Sequence, residues 1–177
     1  VARWQRLAQD RDDAIRNKAL EVLAQRAPES SVALFVQHLA RADYSLQLIL
    51  IDALTKMAAA QPPEFADELL PLVASGDAAT RTAVIKILLG MKDRHAVVTR
   101  YLRFSKTLAG FVRDRALDSI REFGNDLIEP TIELLSDTDE DLRAAAIAVA
   151  GTFDDPRIVQ ATVQLLQDPH WWIRIAA

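Results

Sequence analysis

The sequence contains no cysteine, which excludes disulfide staples and thiolate metal sites and leaves the redox compartment open. Glycine and proline are scarce, 5 and 7 in 177 residues, so there is little material for strand-and-turn architecture or a long flexible linker. Aromatic residues make up only 6%, which leaves alanine and leucine to do most of the packing, as suits closely set helices. No apolar run approaches the ~18 residues that a bilayer-spanning helix requires. Positive charge is not in excess either: the formal net charge is −4, which argues against general nucleic-acid binding. What remains is an ordinary folded chain, 50% hydrophobic and 26% charged, long enough to bury a real core. It opens on Val1 with no signal-like segment, and Ala177 falls three positions after Arg174 inside an expected helix. The expectation is an excised piece of a longer cytoplasmic protein.

The organising feature is a repeat. Leu134-Leu135-Ser136-Asp137 leads through Leu142-Arg143 to Ala144-Ala145-Ala146. Thirty-one residues later Leu165-Leu166-Gln167-Asp168 leads through Ile173-Arg174 to Ala176-Ala177. An apolar pair closes one helix, and an aspartate in the turn accepts hydrogen bonds from free backbone N–H groups. The arginine then lies in the first turn of a second helix, just after an aliphatic residue. Aligning the chain on that arginine gives Arg16, Gln47, Arg81, Arg113, Arg143 and Arg174, spaced by 31, 34, 32, 30 and 31 residues. The preceding residues are Ile15, Leu46, Thr80, Val112, Leu142 and Ile173. Offset +4 holds Leu20, Ile51, Ile85, Leu117 and Ile147, and offset +7 holds Leu23, Leu54, Leu88, Ile120 and Ala150. Offsets −1, +3, +4 and +7 are one face of an α-helix.

Four residues before the column stand Asp12, Asp43, Asp77, Ala109, Asp139 and His170, an N-cap series in which Asp168 and Pro169 take over the helix start in the last unit. First helices are predicted over 32–41, 65–74, 94–106, 127–136 and 157–166, each after its own Pro, Asp, Glu or Asn signal. Gly90, Gly124 and Gly151 fall where second helices should stop, as C-terminal caps. The expected fold is all-α: six helix pairs, at about 1–27, 28–60, 61–91, 92–124, 125–152 and 153–177, stacked as one domain over 1–177 because a lone pair cannot bury its apolar faces.

Phe153-Asp154-Asp155-Pro156-Arg157 through Trp171-Trp172-Ile173-Arg174 closely resembles the HEAT repeat, in the short bacterial form also found in phycobilin lyase subunits. Gln47 in pair two and the missing turn aspartate of pair four depart from that pattern. The resemblance implies an α-solenoid, a right-handed superhelix whose second helices line a concave surface, and a role in binding other proteins. It implies no catalytic residue, metal or cofactor. A chromophore-handling subunit of the lyase type is the alternative, and a nucleic-acid-binding solenoid a more distant one.

The turn aspartates Asp10, Asp137 and Asp168 and the arginines Arg16, Arg81, Arg113, Arg143 and Arg174 are expected to be structural, bonding to one another between neighbouring pairs, because a repeated residue serves the repeat. His38, His95 and His170 share no metal-ligand spacing. A partner surface is expected at offsets +1 and +5: Asn17 and Glu21, Leu48 and Asp52, Thr82 and Lys86, Asp114 and Asp118, Ala144 and Ala148. Ala144 and Ala148 should form an exposed, shallow trough there. Trp171 and Trp172 stand in otherwise small or polar columns, and either bind a partner or pack on a further unit. Residues 92–115 are rich in Lys and Arg and are followed by an acidic run over 118–141. The basic stretch is either a patch for an acidic partner or a face balanced by its neighbour.

Overall fold

The computed structural model describes residues 1–74 and 77–177, and among these residues it contains helices and no strand. Twelve α-helices occur in the described residues: α1 (Ala2–Leu7), α2 (Asp13–Arg26), α3 (Val32–Leu39), α4 (Tyr44–Ala58), α5 (Phe65–Val73), α6 (Ala78–Leu89), α7 (Arg94–Lys106), α8 (Gly110–Ile120), α9 (Ile128–Leu135), α10 (Glu140–Ala150), α11 (Pro156–Gln164) and α12 (Trp171–Ala176). Short 3-10 turns, Arg121–Leu127 and Leu165–Gln167, lead into α9 and follow α11. Taken two by two these are six helical pairs. None of the helices is long and apolar enough to cross a membrane.

The chain forms two compact units, Val1–Lys92 and Asp93–Ala177, divided between the third and fourth pairs. In the first, α2, α4 and α6 lie in series, with α1 on α2, α3 on α4 and α5 on α6. In the second, α7, α9 and α11 pack in series as one layer, and α8, α10 and α12 as the other. Offsets +3 and +7 supply the core of both units. Ala19, Leu50, Val84, Ala116 and Ala146 are buried, and so are Leu23, Leu54, Leu88, Ile120 and Ala150. Offset +4 is more mixed, with Leu20 and Ile85 buried but Ile51, Leu117 and Ile147 half-buried. At offset −1, Leu46, Thr80, Leu142 and Ile173 are buried, whereas Ile15 is exposed. The reason is positional: α2 has a second-helix neighbour on one side only, α4.

Asp12, Asp43, Asp77 and Asp139 cap their helices through side-chain bonds from backbone N–H groups two or three residues on. Two expectations about helix ends need correction. Pro169 is not the first helical residue, since α12 begins at Trp171 and its N-cap is His170, which makes no side-chain cap. Gly90 and Gly151 do end α6 and α10, but with ordinary helical φ of −76° and −63°, so neither needs glycine's conformational freedom. Gly124 and Gly110 do need it, with φ of +54° and +50°. Gly124 lies beyond the end of α8 and reverses the chain inside the 3-10 turn that delivers α9.

A Cβ added at Gly124 would meet nothing within 4 Å, so the cost of a side chain there is in the backbone alone. Gly124→Ala should therefore destabilise the protein by about 1–3 kcal/mol, read as a lowered urea midpoint with an unchanged slope.

Candidate interaction surface and the turn clasps that frame it

Among the described residues, three interhelical turns share one clasp. Asp10, Asp137 and Asp168 each accept the N–H of the residue two positions on, at 2.9, 3.0 and 2.8 Å. The backbone carbonyls of the same three residues accept from the column arginine six positions on: Arg16 at 3.2 Å, Arg143 at 2.9 Å and Arg174 at 2.6 Å. One aspartate thus fixes the entry to the second helix with its side chain and anchors the arginine with its main chain. Arg143 goes further. Its Nε and Nη2 donate to Asp168 Oδ2 and Oδ1 of the next pair, at 2.7 and 3.1 Å, and Nη1 also reaches the Thr138 carbonyl at 3.1 Å. Both side chains are buried, and the planar fork matches the carboxylate bidentately. The Arg143 bonds, followed by the His170 N–H, hold the Asp168 carboxyl below the usual carboxylate range.

The column is not uniform. Gln47 is buried and donates to the Leu39 carbonyl and to Thr80 Oγ1, both at 3.3 Å, so an amide replaces the guanidinium where the next pair offers a hydroxyl. Arg16 pairs with Asp13 of its own helix. Arg81 is half-buried and adds to the positive field that lowers the Asp77 carboxyl, after the bonds from Thr80 and Ala79. Among the described residues Arg113 finds no turn carbonyl or carboxylate. Its turn, Thr107-Leu108-Ala109, has no aspartate to build the clasp.

The basic stretch of pair four reaches sideways instead. Arg94 bonds to Asp126 at 2.6 Å, His95 Nε2 lies 3.1 Å from Glu133, Arg103 bonds to Asp137 at 3.3 Å, and Lys106 pairs with Asp139. Asp139 in turn raises the Lys106 amine above the ordinary lysine range. Arg115 sits over the Phe111 ring, 4.7 Å from its centroid. Arg94, Arg103 and Lys106 are thus matched by the acidic run of pair five, which reduces the positive charge free for a phosphate backbone.

Offsets +1 and +5 divide into two kinds of residue. Asn17 donates to Asp43, the cap of α4 in the next pair, at 3.3 Å, while Glu21 pairs with Lys18 at 2.8 Å and Asp52 with Lys56 at 2.6 Å within their own helices. Leu48, Thr82 and Lys86 come together along one groove of ≈ 380 Å³ between α4 and α6. Tyr44, Ile51, Ala78 and Ala79 complete its walls. Tyr44 and Leu48 stand 72% and 50% exposed, a large apolar area for two residues of one helix. Among the described residues Lys86 has no carboxylate partner on the groove's rim. In the second unit, Asp114 is exposed, Asp118 is exposed and 3.5 Å from Arg121, and Ala148 is exposed. Ala144, expected exposed with Ala148, is half-buried, because it lies one position from the buried pair Arg143 and Ala145. Trp171 is exposed, while Trp172 is half-buried with its ring 6.3 Å from that of His170.

Tyr44 was absent from the expected surface because it precedes the column by three residues. Its signal was in the sequence all the same: an aromatic at a position otherwise occupied by Asp13, Ala78, Gly110 and Glu140, with Trp171 as the other exception. Ile51 was assigned to the core by its +4 offset, yet it forms part of the groove wall.

Removing the guanidinium leaves Asp168 buried without its partner, so Arg143→Ala should lower stability by about 1–3 kcal/mol. Because the Asp168 carboxyl is depressed in the folded state, its contribution is complete above the unfolded value of about 4. It is lost as pH falls through the lower folded value. Asp168→Asn should flatten the acid limb of a plot of melting temperature against pH, and an unchanged limb would contradict this account of the pair.

Comparison with known proteins places the pattern. The family profile for HEAT repeats matches residues 128–177. No curated protein sequence matches the chain. Among solved structures, an archaeal HEAT-like repeat protein from Thermococcus onnurineus NA1 is similar at 16% identity and a TM-score of 0.46, over 98% of this chain and 82% of that one. A designed armadillo repeat protein in complex with the peptide (KR)4 is similar at 13% identity and a TM-score of 0.43, over 98% and 95%. The matched residues, Ile128 to Ala177, are those in which the Arg143–Asp168 clasp joins the fifth pair to the sixth, and over them the chain is similar to HEAT repeats.

Proposed function

We propose that this chain is a non-catalytic interaction module that holds a segment of another protein on the surface of its second helices. The observation that carries the reading is the groove between α4 and α6. It is mostly apolar, is flanked by the exposed Tyr44 and Leu48, and has Lys86 among its lining residues. An aromatic and an aliphatic side chain left in water on a helix face that otherwise buries its large residues are suited to anchoring a partner. Ala78, Ala79 and Ala83 line it on the α6 side, small residues that leave room for an incoming side chain. Lys86 favours a carboxylate on the same segment and would speed its approach. In the second unit, Asp114, Asp118 and Ala148 are further contacts under the same reading, and there the negative charge favours a basic segment.

The reading is tested by panning a random peptide display library on the folded protein and measuring the enriched peptides by calorimetry. Leu48→Arg should weaken groove-binding peptides by at least about tenfold, roughly 1.4 kcal/mol. Ala148→Arg reports on the second unit in the same way. Glu68→Arg, on the exposed side of the first helix α5, should leave both unchanged. Peptides that bind all variants equally would place the working surface elsewhere.

A further inference from the structure

The joint between pairs one and two differs from the joint between pairs five and six in the sign of one charge. Six positions before the column stand Asp10, Asp137 and Asp168, but in pair two Arg41. Arg143 reaches forward to Asp168 in a buried, bidentate pair. Its counterpart Arg16 has Arg41 in that register position of the next turn. A second departure lies in the same turn. Nine positions before the column stand Leu7, Leu72, Phe104, Leu134 and Leu165, but in pair two His38. A titratable ring thus occupies a column that is otherwise apolar, and its Nε2 is buried without a hydrogen-bond partner.

Backbone and side-chain bonds bring these groups together. The His38 carbonyl accepts the N–H groups of Arg41 and Ala42, both at 3.0 Å, and so closes the turn that carries Arg41. Asn17 donates to Asp43 at 3.3 Å, which sets the start of α2 against that turn. Burial, then the charges of Arg16 and Arg41, hold the His38 imidazole below the ordinary histidine range. The aspartates of the two turns are already engaged: Asp13 pairs with Arg16 Nη2, Asp10 and Asp12 accept backbone N–H groups, and Asp43 accepts from Leu46 and Asn17. Among the described residues Arg41 has no carboxylate partner. Arg16 Nε, whose counterpart in Arg143 donates to Asp168, has no acceptor among them either.

We propose that this joint is a carboxylate-binding site, in which a carboxylate from outside the chain lies between Arg16 and Arg41 and takes the place that Asp168 holds for Arg143. The ligand class follows from the register. Arg16 Nη1 is anchored on the Asp10 carbonyl at 3.2 Å, as Arg143 Nη1 is on that of Asp137, so each guanidinium is pre-oriented by its own turn. A planar, pre-oriented guanidinium suits a planar carboxylate, and Arg41 adds a second cation to hold it. The bound charge offsets both arginines and lets His38 take up a proton, so binding tightens as pH falls through the histidine range. None of the three residues lines the α4/α6 groove, and the site does not depend on what binds there.

With only three histidines in the chain, the ring Cε1–H signal of His38 can be followed by NMR and identified by its loss in His38→Asn. Sodium acetate should raise the pH midpoint of that signal by at least about half a unit more than sodium chloride at the same ionic strength. His95 and His170, which already face Glu133 and Glu140, report any general salt effect. Arg41→Gln should remove most of the acetate response. Arg41→Asp supplies the carboxylate from within, so it should raise the midpoint without acetate and leave no further response to it. Arg41 is exposed, and circular dichroism checks that both variants keep the fold. A capped tetra-aspartate peptide is the second probe. Saturation at a carboxylate concentration at least about tenfold below that of acetate assigns the site to an acidic protein segment, and equal saturation to a small free carboxylate. Equal shifts in acetate and chloride would overturn the proposal, and so would an acetate response that survives Arg41→Gln.

Discussion

A helical pair of this length has two apolar sides and can cover only one of them by itself. That constraint explains most of what the chain does with its hydrophobic residues. The +3 and +7 positions, turned into each unit, are buried in the first five pairs. Ile15 of the first pair and Leu166 of the sixth, at other positions of the repeat, are apolar and exposed. Burial here depends on what stacks against each pair as much as on a residue's own hydrophobicity.

Stacking brings helix ends close together, and helix ends carry unpaired backbone groups. The clasp built on Asp10, Asp137 and Asp168 deals with both ends at once, a side-chain oxygen taking an N–H and a carbonyl taking a guanidinium. Between pairs five and six it gains a second, bidentate layer, so the same arginine orients its own turn and locks the next one. Gln47 shows that the position needs a donor rather than a charge when the facing residue is Thr80.

Pair four shows what happens without the clasp. Its turn has no aspartate, Arg113 is left without a carbonyl, and Gly110 opens α8 with a positive φ. Its lateral contacts with pair five run along α7, where Arg94, His95, Arg103 and Lys106 each face an acidic side chain. A stretch that reads in one dimension as a basic patch is, in three, partly neutralised.

The sequence by itself determined the helices, their pairing, the arginine column and the inward face, because a period of about 31 residues with offsets of −1, +3, +4 and +7 has one physical reading. Most N-caps were equally legible, since Asp12, Asp43, Asp77 and Asp139 act on backbone within three residues of themselves. Tertiary structure alone decided which carboxylate each cation meets and which outward residues gather into a site. Arg143 meets Asp168 across 25 residues, and Tyr44, Leu48, Thr82 and Lys86 come from two helices whose separation no periodicity encodes. Local rules act along one helix, where geometry is set by 3.6 residues per turn. A groove or a bidentate pair is set by the distance between two helices, and that distance depends on the summed packing of everything between them.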